Sequence, residues 1–309
     1  MGFPAGRNGL RPAGGGDAFH PVPAHRVYRP GPAGRPRHFV GAADAVPAPG
    51  PGREVSIVTS SRSGQTDYVL QTEAISKHFG AVRAVDELTL AIPRQGTTSI
   101  VGPNGSGKST LVNLLSGVLP LDGGMVIIDG AGLRVVKAHE TPDHGLTRTF
   151  QEVRLFDQIT VWDNIMVVLT ERRLFPALFE RARPATRQKA RDILEQVGMW
   201  DKRDSLAQDL SYGQRKLVEI GRALAMNVNT YLMDEPFAGL FPQMIERVKA
   251  IMKQMRTDGH TIVFISHNME IVRELSDRII VLDSGALLAA GEVEPVLNSE
   301  EVIEAYLGA

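Results

Sequence analysis

Nine consecutive residues constrain this chain more than any other stretch: Gly102-Pro103-Asn104-Gly105-Ser106-Gly107-Lys108-Ser109-Thr110. They match G-x-x-x-x-G-K-[ST]. A short β-prone run, Thr97-Thr98-Ser99-Ile100-Val101, precedes them, and Leu111, Val112, Leu114, Leu115, Val118 and Leu119 follow at helical spacing. Strand, glycine-rich turn and helix in that order build an anion cradle. Glycines let backbone N–H groups turn inward, and the helix N-terminus adds a partial positive charge. Lys108 is placed to reach the β- and γ-phosphates of a nucleotide, and Ser109 to ligate Mg²⁺.

The rest of the ordered sequence fits an α/β sheet around that cradle. Tyr68-Val69-Leu70-Gln71-Thr72, Leu88-Thr89-Leu90-Ala91-Ile92 and Val126-Ile127-Ile128 read as strands. Tyr231-Leu232-Met233, Thr261-Ile262-Val263-Phe264-Ile265 and Ile279-Ile280-Val281-Leu282 are compact apolar runs of the buried parallel type. Helical patterns lie at Arg187 to Val197, Gln214 to Met226 and Gln243 to Arg256, so strands alternate with helices. Between Asn164 and Gln208 the pattern is a helical insertion without strands.

Composition narrows the chemistry. With no Cys among 309 residues, a disulfide framework, an iron–sulfur cluster, Cys-ligated zinc and a thiol nucleophile are excluded. The formal charge of −1 gives no electrostatic reason to expect nucleic acid or anionic lipid as a partner. No window of 18 apolar residues is present, so any membrane role must come through a partner. Residues 1–52 stand apart, with 11 Gly, 10 Pro and 9 Ala and neither Lys nor Glu. Such a stretch buries too little apolar surface to offset the cost of ordering it. Residues 1–66 are expected to be a disordered extension, or translation from an upstream start, with 67–309 forming the folded domain.

Tyr231-Leu232-Met233-Asp234-Glu235 is an apolar strand ending in two carboxylates. Beside a phosphate cradle they serve two tasks: Asp234 holds the Mg²⁺ hydration shell, and Glu235 polarises the attacking water. Leu210-Ser211-Tyr212-Gly213-Gln214 contains an S-x-x-Q capping box, Ser211 to Gln214, ahead of an apolar helix face. A capped helix with small residues at its start also offers free N–H groups to a phosphate.

At this point the chain resembles the ATP-binding cassette (ABC) family, whose L-S-G-G-Q signature it matches at four of five positions, Tyr212 replacing the first glycine. The resemblance implies a P-loop NTPase core of ABC type, with an antiparallel β subdomain and a helical signature subdomain at about residues 152–212. It also implies that Ser211, with Gly213 and Gln214, contacts the γ-phosphate of ATP bound to a second subunit's P-loop. Further landmarks follow in family order. Gln151, 49 residues after Gly102, resembles the glutamine that touches both Mg²⁺ and the attacking water. His267, 32 residues after Glu235, resembles the switch histidine at the γ-phosphate. Phe79, 23 residues before Gly102, resembles the aromatic that stacks on adenine.

One position departs from the pattern. Relatives usually carry Asn or Asp where this chain has Phe241, in Pro236-Phe237-Ala238-Gly239-Leu240-Phe241. Phe neither donates nor accepts a hydrogen bond, so slower or differently coupled hydrolysis is expected. Gly145-Leu146-Thr147-Arg148-Thr149-Phe150-Gln151, then Arg154-Leu155-Phe156, and the closing Val302-Ile303-Glu304-Ala305-Tyr306-Leu307-Gly308 resemble cassettes for branched-chain amino acids. Urea and short-chain amide importers share much of this. The resemblance implies a peripheral ATPase on the cytoplasmic face of the inner membrane, paired with a second ATP-binding subunit, identical or different, and with integral permease subunits. It serves a substrate-binding protein indirectly. Leu155, Phe156, Ile159 and Val161 supply either docking surface or insertion core. Other classes fit less well. The 109 residues between Gly102 and Ser211 hold no sustained heptads, unlike a chromosome-maintenance ATPase, and one cassette is present where translation-associated proteins carry two. No guanine-reading N-K-x-D occurs.

Overall fold

The computed structural model describes Gly2 and residues 67–149, 151–170 and 184–307. The expected disordered extension over residues 1–66 therefore lies, Gly2 apart, outside the described residues. Contacts divide the chain into two units, Met1–Val58 and Thr59–Ala309, and every element named below belongs to the second.

Two sheets carry the architecture. The first has four antiparallel strands in the order β2-β1-β4-β5: β1 Tyr68–Phe79, β2 Val82–Pro93, β4 Gly123–Ile128 and β5 Ala131–Leu133. The second has six, in the order β10-β9-β3-β8-β7-β6. Its members are β3 Gly96–Val101, β6 Leu146–Thr149, β7 Thr230–Met233, β8 Thr261–Ile265, β9 Arg278–Asp283 and β10 Ala286–Glu292. Strands β9, β3, β8, β7 and β6 run parallel, and β10 closes the edge antiparallel to β9.

The central parallel strands are apolar on both faces because both are covered. Leu232, Val263, Ile265, Ile280 and Leu282 pack with the antiparallel sheet and with helix α1, Lys108–Leu115. Their alternates Tyr231, Met233, Ile262, Phe264, Ile279 and Val281 face a second core. That core is completed by α2 Val161–Leu169, α3 Pro184–Gln196, α4 Tyr212–Ala225, α5 Pro242–Thr257 and α6 Met269–Leu275. Short helices α7 Val293–Leu297 and α8 Glu300–Leu307 end the described chain. Side-chain alternation on a strand thus distributes one run of apolar residues between two cores.

Most expected elements form, with shifted ends. The helix after the cradle stops at Leu115 rather than running to Leu119: Gly117 adopts φ +70, and the Gly117 N–H turns back to the Leu114 carbonyl at 3.1 Å. The insertion between Asn164 and Gln208 holds no strand among its described residues. Strand β6 was hidden because Leu146-Thr147-Arg148-Thr149 is too polar for an apolar-run criterion, yet it pairs with β7 along its whole length.

Leu232 is fully buried between the sheets. Leu232→Ala should cost about 2–5 kcal/mol in urea denaturation, the cavity adding to the lost transfer energy; a loss below about 1 kcal/mol would place this side chain outside a packed core.

Candidate functional site

Four loops leave the carboxyl ends of neighbouring parallel strands, where open α/β sheets bind ligands. The 102–110 loop follows β3, Gln151 follows β6, Asp234 and Glu235 follow β7, and His267 follows β8. Strand order β3-β8-β7-β6 therefore gathers, on one edge, residues up to 165 positions apart in sequence.

Gly107 caps α1 at φ +97, and a Cβ there would lie 2.3 Å from the Ala84 carbonyl oxygen. Only glycine permits that approach, which seats the loop on β2. The Lys108 ammonium donates to the carbonyls of Gly102 at 2.9 Å and Pro103 at 2.8 Å. Burial lowers its pKa, opposed by the carboxylates of Glu235 and Asp234. The Gly102-to-Thr110 loop is thus held in a turn around a cation, with Asn104, Gly105 and Ser109 exposed. The β1–β2 hairpin that carries Ala84 also carries Phe79, half exposed at its end, with Lys77 Nζ 5.8 Å from the ring centroid. The phenol of Tyr306 in α8 is pushed above its ordinary range by burial, opposed by the backbone of Gly102.

Asp234 is almost fully buried, its side chain 3 % exposed. Arg148 Nη2 donates to its Oδ2 at 2.8 Å, while Arg148 Nη1 donates to Asn113 Oδ1 at 2.6 Å and Ser116 Oγ at 3.0 Å. Burial lowers the Arg148 pKa, and Asp234 opposes the shift. One guanidinium thereby joins β6, β7 and α1. Asp234 Oδ1 is buried without a hydrogen-bond partner. A buried carboxylate oxygen in that condition is costly unless something else satisfies it.

Glu235 sits at φ +47, a left-handed conformation that costs a non-glycine residue about 1–3 kcal/mol. His267 Nε2 lies 3.1 Å from Glu235 Oε1. Glu235, Phe237, Ala238, Ile245, His267 and Ile271 are among the residues lining a cavity of 170 Å³. Gln151 is exposed and makes no hydrogen bond among the described residues.

Ser211 caps α4: its Oγ accepts from Gln214 N at 3.4 Å, and Gln214 Oε1 accepts from Ser211 N at 3.0 Å, completing the expected capping box. Among the described residues, no hydrogen bond joins Ser211, Gly213 or Gln214 to the 102–110 loop of the same chain. The structure therefore brings together the loop, Asp234, Glu235 and His267, while among the described residues no hydrogen bond ties the signature turn to that loop. Of the four apolar residues expected as docking surface or core, Val161 is fully buried and Leu155 packs against the core, whereas Phe156 is half exposed.

Sequence reading missed the roles of Arg148, Asn113 and Ser116. A buried acid at a strand end calls for a cation, but no spacing rule says which neighbouring strand supplies it.

A family model described as "ABC transporter" matches residues 85–238. The branched-chain amino acid transport ATP-binding protein BraF of Pseudomonas aeruginosa is 32 % identical over 251 residues, covering 78 % of this chain and 98 % of BraF. The lipopolysaccharide export ATP-binding protein LptB of Haemophilus influenzae is 32 % identical over 240 residues, covering 78 % and 97 %. Among solved structures, the ADP conformation of MJ1267, an ATP-binding cassette of an ABC transporter, aligns with TM-score 0.67 at 33 % identity, covering 79 % of this chain and all of that one. A dimeric post-hydrolysis state of the cassette MJ0796, bound to ADP and Pi, aligns with TM-score 0.62 at 25 % identity, covering 73 % and 99 %. The chain belongs to the ABC transporter ATP-binding family. It is a nucleotide-binding ATPase built on the P-loop α/β fold with an added antiparallel sheet.

Arg148→Ala would leave the Asp234 carboxylate buried without its counter-ion and should cost about 3–5 kcal/mol of folding stability. Urea unfolding followed by circular dichroism measures it; a change under about 1 kcal/mol would mean that the pair contributes nothing.

Proposed function

We propose that this chain is the ATP-hydrolysing subunit of an importer, acting as one of a pair of cassettes bound to membrane permease subunits on the cytoplasmic face of the inner membrane. The observation carrying the proposal is the convergence of Lys108, Asp234, Glu235 and His267 at one sheet edge, with the Ser211 turn unbonded to that chain's own loop.

In this reading two chains face head to tail. The 102–110 loop of one holds the phosphates, and Ser211, Gly213 and Gln214 of the other close over the γ-phosphate. Phe79 stacks on the adenine. Mg²⁺ fits the residues present: Ser109 offers a hydroxyl, and Asp234 a buried, unpartnered carboxylate oxygen. Among the described residues no group of three or more acidic or His side chains forms a cage. Such a cation would be held by one or two protein oxygens together with phosphate oxygens and water. Gln151 joins this set from the β6 loop. When bound, Mg²⁺ supplies positive charge that offsets the charge on the β- and γ-phosphates. Glu235 accepts the proton of the attacking water, and His267, in contact with Glu235, orients the carboxylate and meets the γ-phosphate. Lys108 stabilises charge developing in the in-line transition state. Loss of the γ-phosphate removes the anion shared by two helix N-termini, and the pair opens.

The permease subunits need a contact that senses this opening. A cavity of 200 Å³ lies between β6 and helices α2 and α4, lined by Thr147, Arg148, Arg154, Val168, Glu219 and Arg222 among others. Phe156 stands next to it, with the Arg222 guanidinium 5.0 Å from its ring centroid. The docking surface in this reading is the segment Gln151 to Trp162 beside the cavity, with exposed Phe156 as its apolar contact. The solute assigned is a branched-chain amino acid, supported by the likeness to BraF and by the motifs around Gln151. The cassette itself never touches the solute, and the similarly distant LptB serves export.

Two experiments test the reading. Glu235→Gln should bind ATP, fail to hydrolyse it and accumulate as an ATP-dependent dimer in size-exclusion chromatography with light scattering; a variant that stays monomeric with ATP contradicts the head-to-tail site. Phe241, 81 % exposed, caps α5 without a side-chain hydrogen bond. Phe241→Asn should raise ATP turnover, and the added N-cap should stabilise the fold by about 0.5–1 kcal/mol. An unchanged kcat removes the role given to this position.

A further inference from the structure

Tyr212 occupies the one signature position where this chain departs from the family pattern, directly after the capping Ser211. It is 44 % exposed, and what its ring covers is the loop that follows the paired carboxylates. A Cβ built on Gly239 would lie 3.3 Å from Tyr212 Cε1, 3.9 Å from Cδ1 and 4.0 Å from Cζ. Gly239 adopts φ +71, so the ring lies against a stretch of backbone free of side chain. A second contact sits one residue along. A Cβ at Gly213 would meet Met244 Cγ at 2.9 Å, in the first turn of α5. The signature turn is therefore packed on both ends of the Gly239–Met244 segment.

That segment is short-wired to Glu235. The Ala238 N–H donates to the Glu235 carbonyl at 3.2 Å, and the Leu240 N–H donates to the Phe237 carbonyl at 3.3 Å. Two successive turns thus link the strained Glu235 backbone to the residue under the tyrosine ring. The ring contact lies at the surface, and it is these two backbone turns that tie it to Glu235. The phenol itself stays neutral near pH 7: burial raises its pKa, and the carboxylates of Glu219 and Glu152 raise it further.

We propose that Tyr212 is a positioning residue that couples the two nucleotide sites of the paired cassettes. Its ring braces the Glu235–Phe241 loop, so that closure of Ser211 on nucleotide held by the partner sets the carboxylate of Glu235 in its own chain. This rests on the head-to-tail reading above and adds a path between the two sites. A glycine at position 212 would provide no such brace.

The test uses the full chain with Mg-ATP. Tyr212→Phe keeps the ring and should hold kcat within about two-fold of the unaltered protein, whereas Tyr212→Ala should lower kcat about ten-fold or more with the KM for ATP changed less than about two-fold. In the Glu235→Gln background, Tyr212→Ala should still dimerise with ATP, because Ser211 is untouched. If Tyr212→Ala fails to fold, Tyr212→Leu, which keeps bulk without a flat ring, should give the same loss of kcat. Unchanged kcat in the Ala or Leu variant overturns the proposal. So does a KM that rises in step with the loss, or a dimer lost in the Glu235→Gln background, since either would put Tyr212 at the nucleotide or the interface. A parent protein that neither hydrolyses ATP nor dimerises as Glu235→Gln defeats the head-to-tail reading itself, and the coupling with it. An active parent with an unimpaired Tyr212→Ala defeats only the coupling.

Discussion

The bond between Arg148 and Asp234 holds the working edge of the sheet together. A carboxylate so deeply buried is tolerated only beside a cation, and a guanidinium meets that need with donors to spare. Its remaining amino group ties Asn113 and Ser116 of the cradle helix to the same point. Strands β6 and β7 and helix α1 are thereby fixed relative to one another beside the 102–110 loop. Only one oxygen of Asp234 is used by this bond, and the other stays buried and unpartnered. The pair keeps the carboxylate still while leaving one of its oxygens out of the bond.

Next to this rigid pair stands a strained and more exposed one. Glu235 takes a left-handed backbone immediately after the strand and meets His267 at 3.1 Å. Two adjacent acids thus end in different surroundings: one locked by an arginine, the other on a loop that runs under Tyr212 and out to Phe241. The first is fixed by its counter-ion, whereas the position of the second depends on the loop that carries it. Backbone strain of this kind persists only where the surrounding structure imposes it.

Much of this was legible in the sequence, for physical reasons. The loop between β3 and α1 was legible because a β-prone run, glycines and a helix start follow one another at fixed spacing. Buried parallel strands declared themselves as runs such as Thr261-Ile262-Val263-Phe264-Ile265, and the Ser211–Gln214 cap formed as written. What stayed hidden depends on tertiary placement. Arg148 reads as an ordinary polar residue on a short strand, and only the order β8-β7-β6 sets it beside Asp234. Tyr212 reads as a deviation from a motif, and only the approach of Gly239 gives it something to hold. The end of α1 moved from Leu119 to Leu115 because a left-handed glycine outranks helical periodicity.

The central claim is that a complete nucleotide site takes its phosphate loop from one chain and its signature turn from another. Mixing two inactive variants tests it most directly. Lys108→Ala removes the loop's cation and Ser211→Ala removes the signature hydroxyl, so each alone should have little ATPase activity. In a mixed pair assembled head to tail, both lesions fall in one site and the other site is intact. Turnover should therefore reappear when the two are combined, about ten-fold below that of the unaltered pair because the lesioned site cannot set the other Glu235 through Tyr212, yet well above the sum of the separate proteins. A mixture that stays at that sum would mean that loop and signature serve the same chain, and the account would fail.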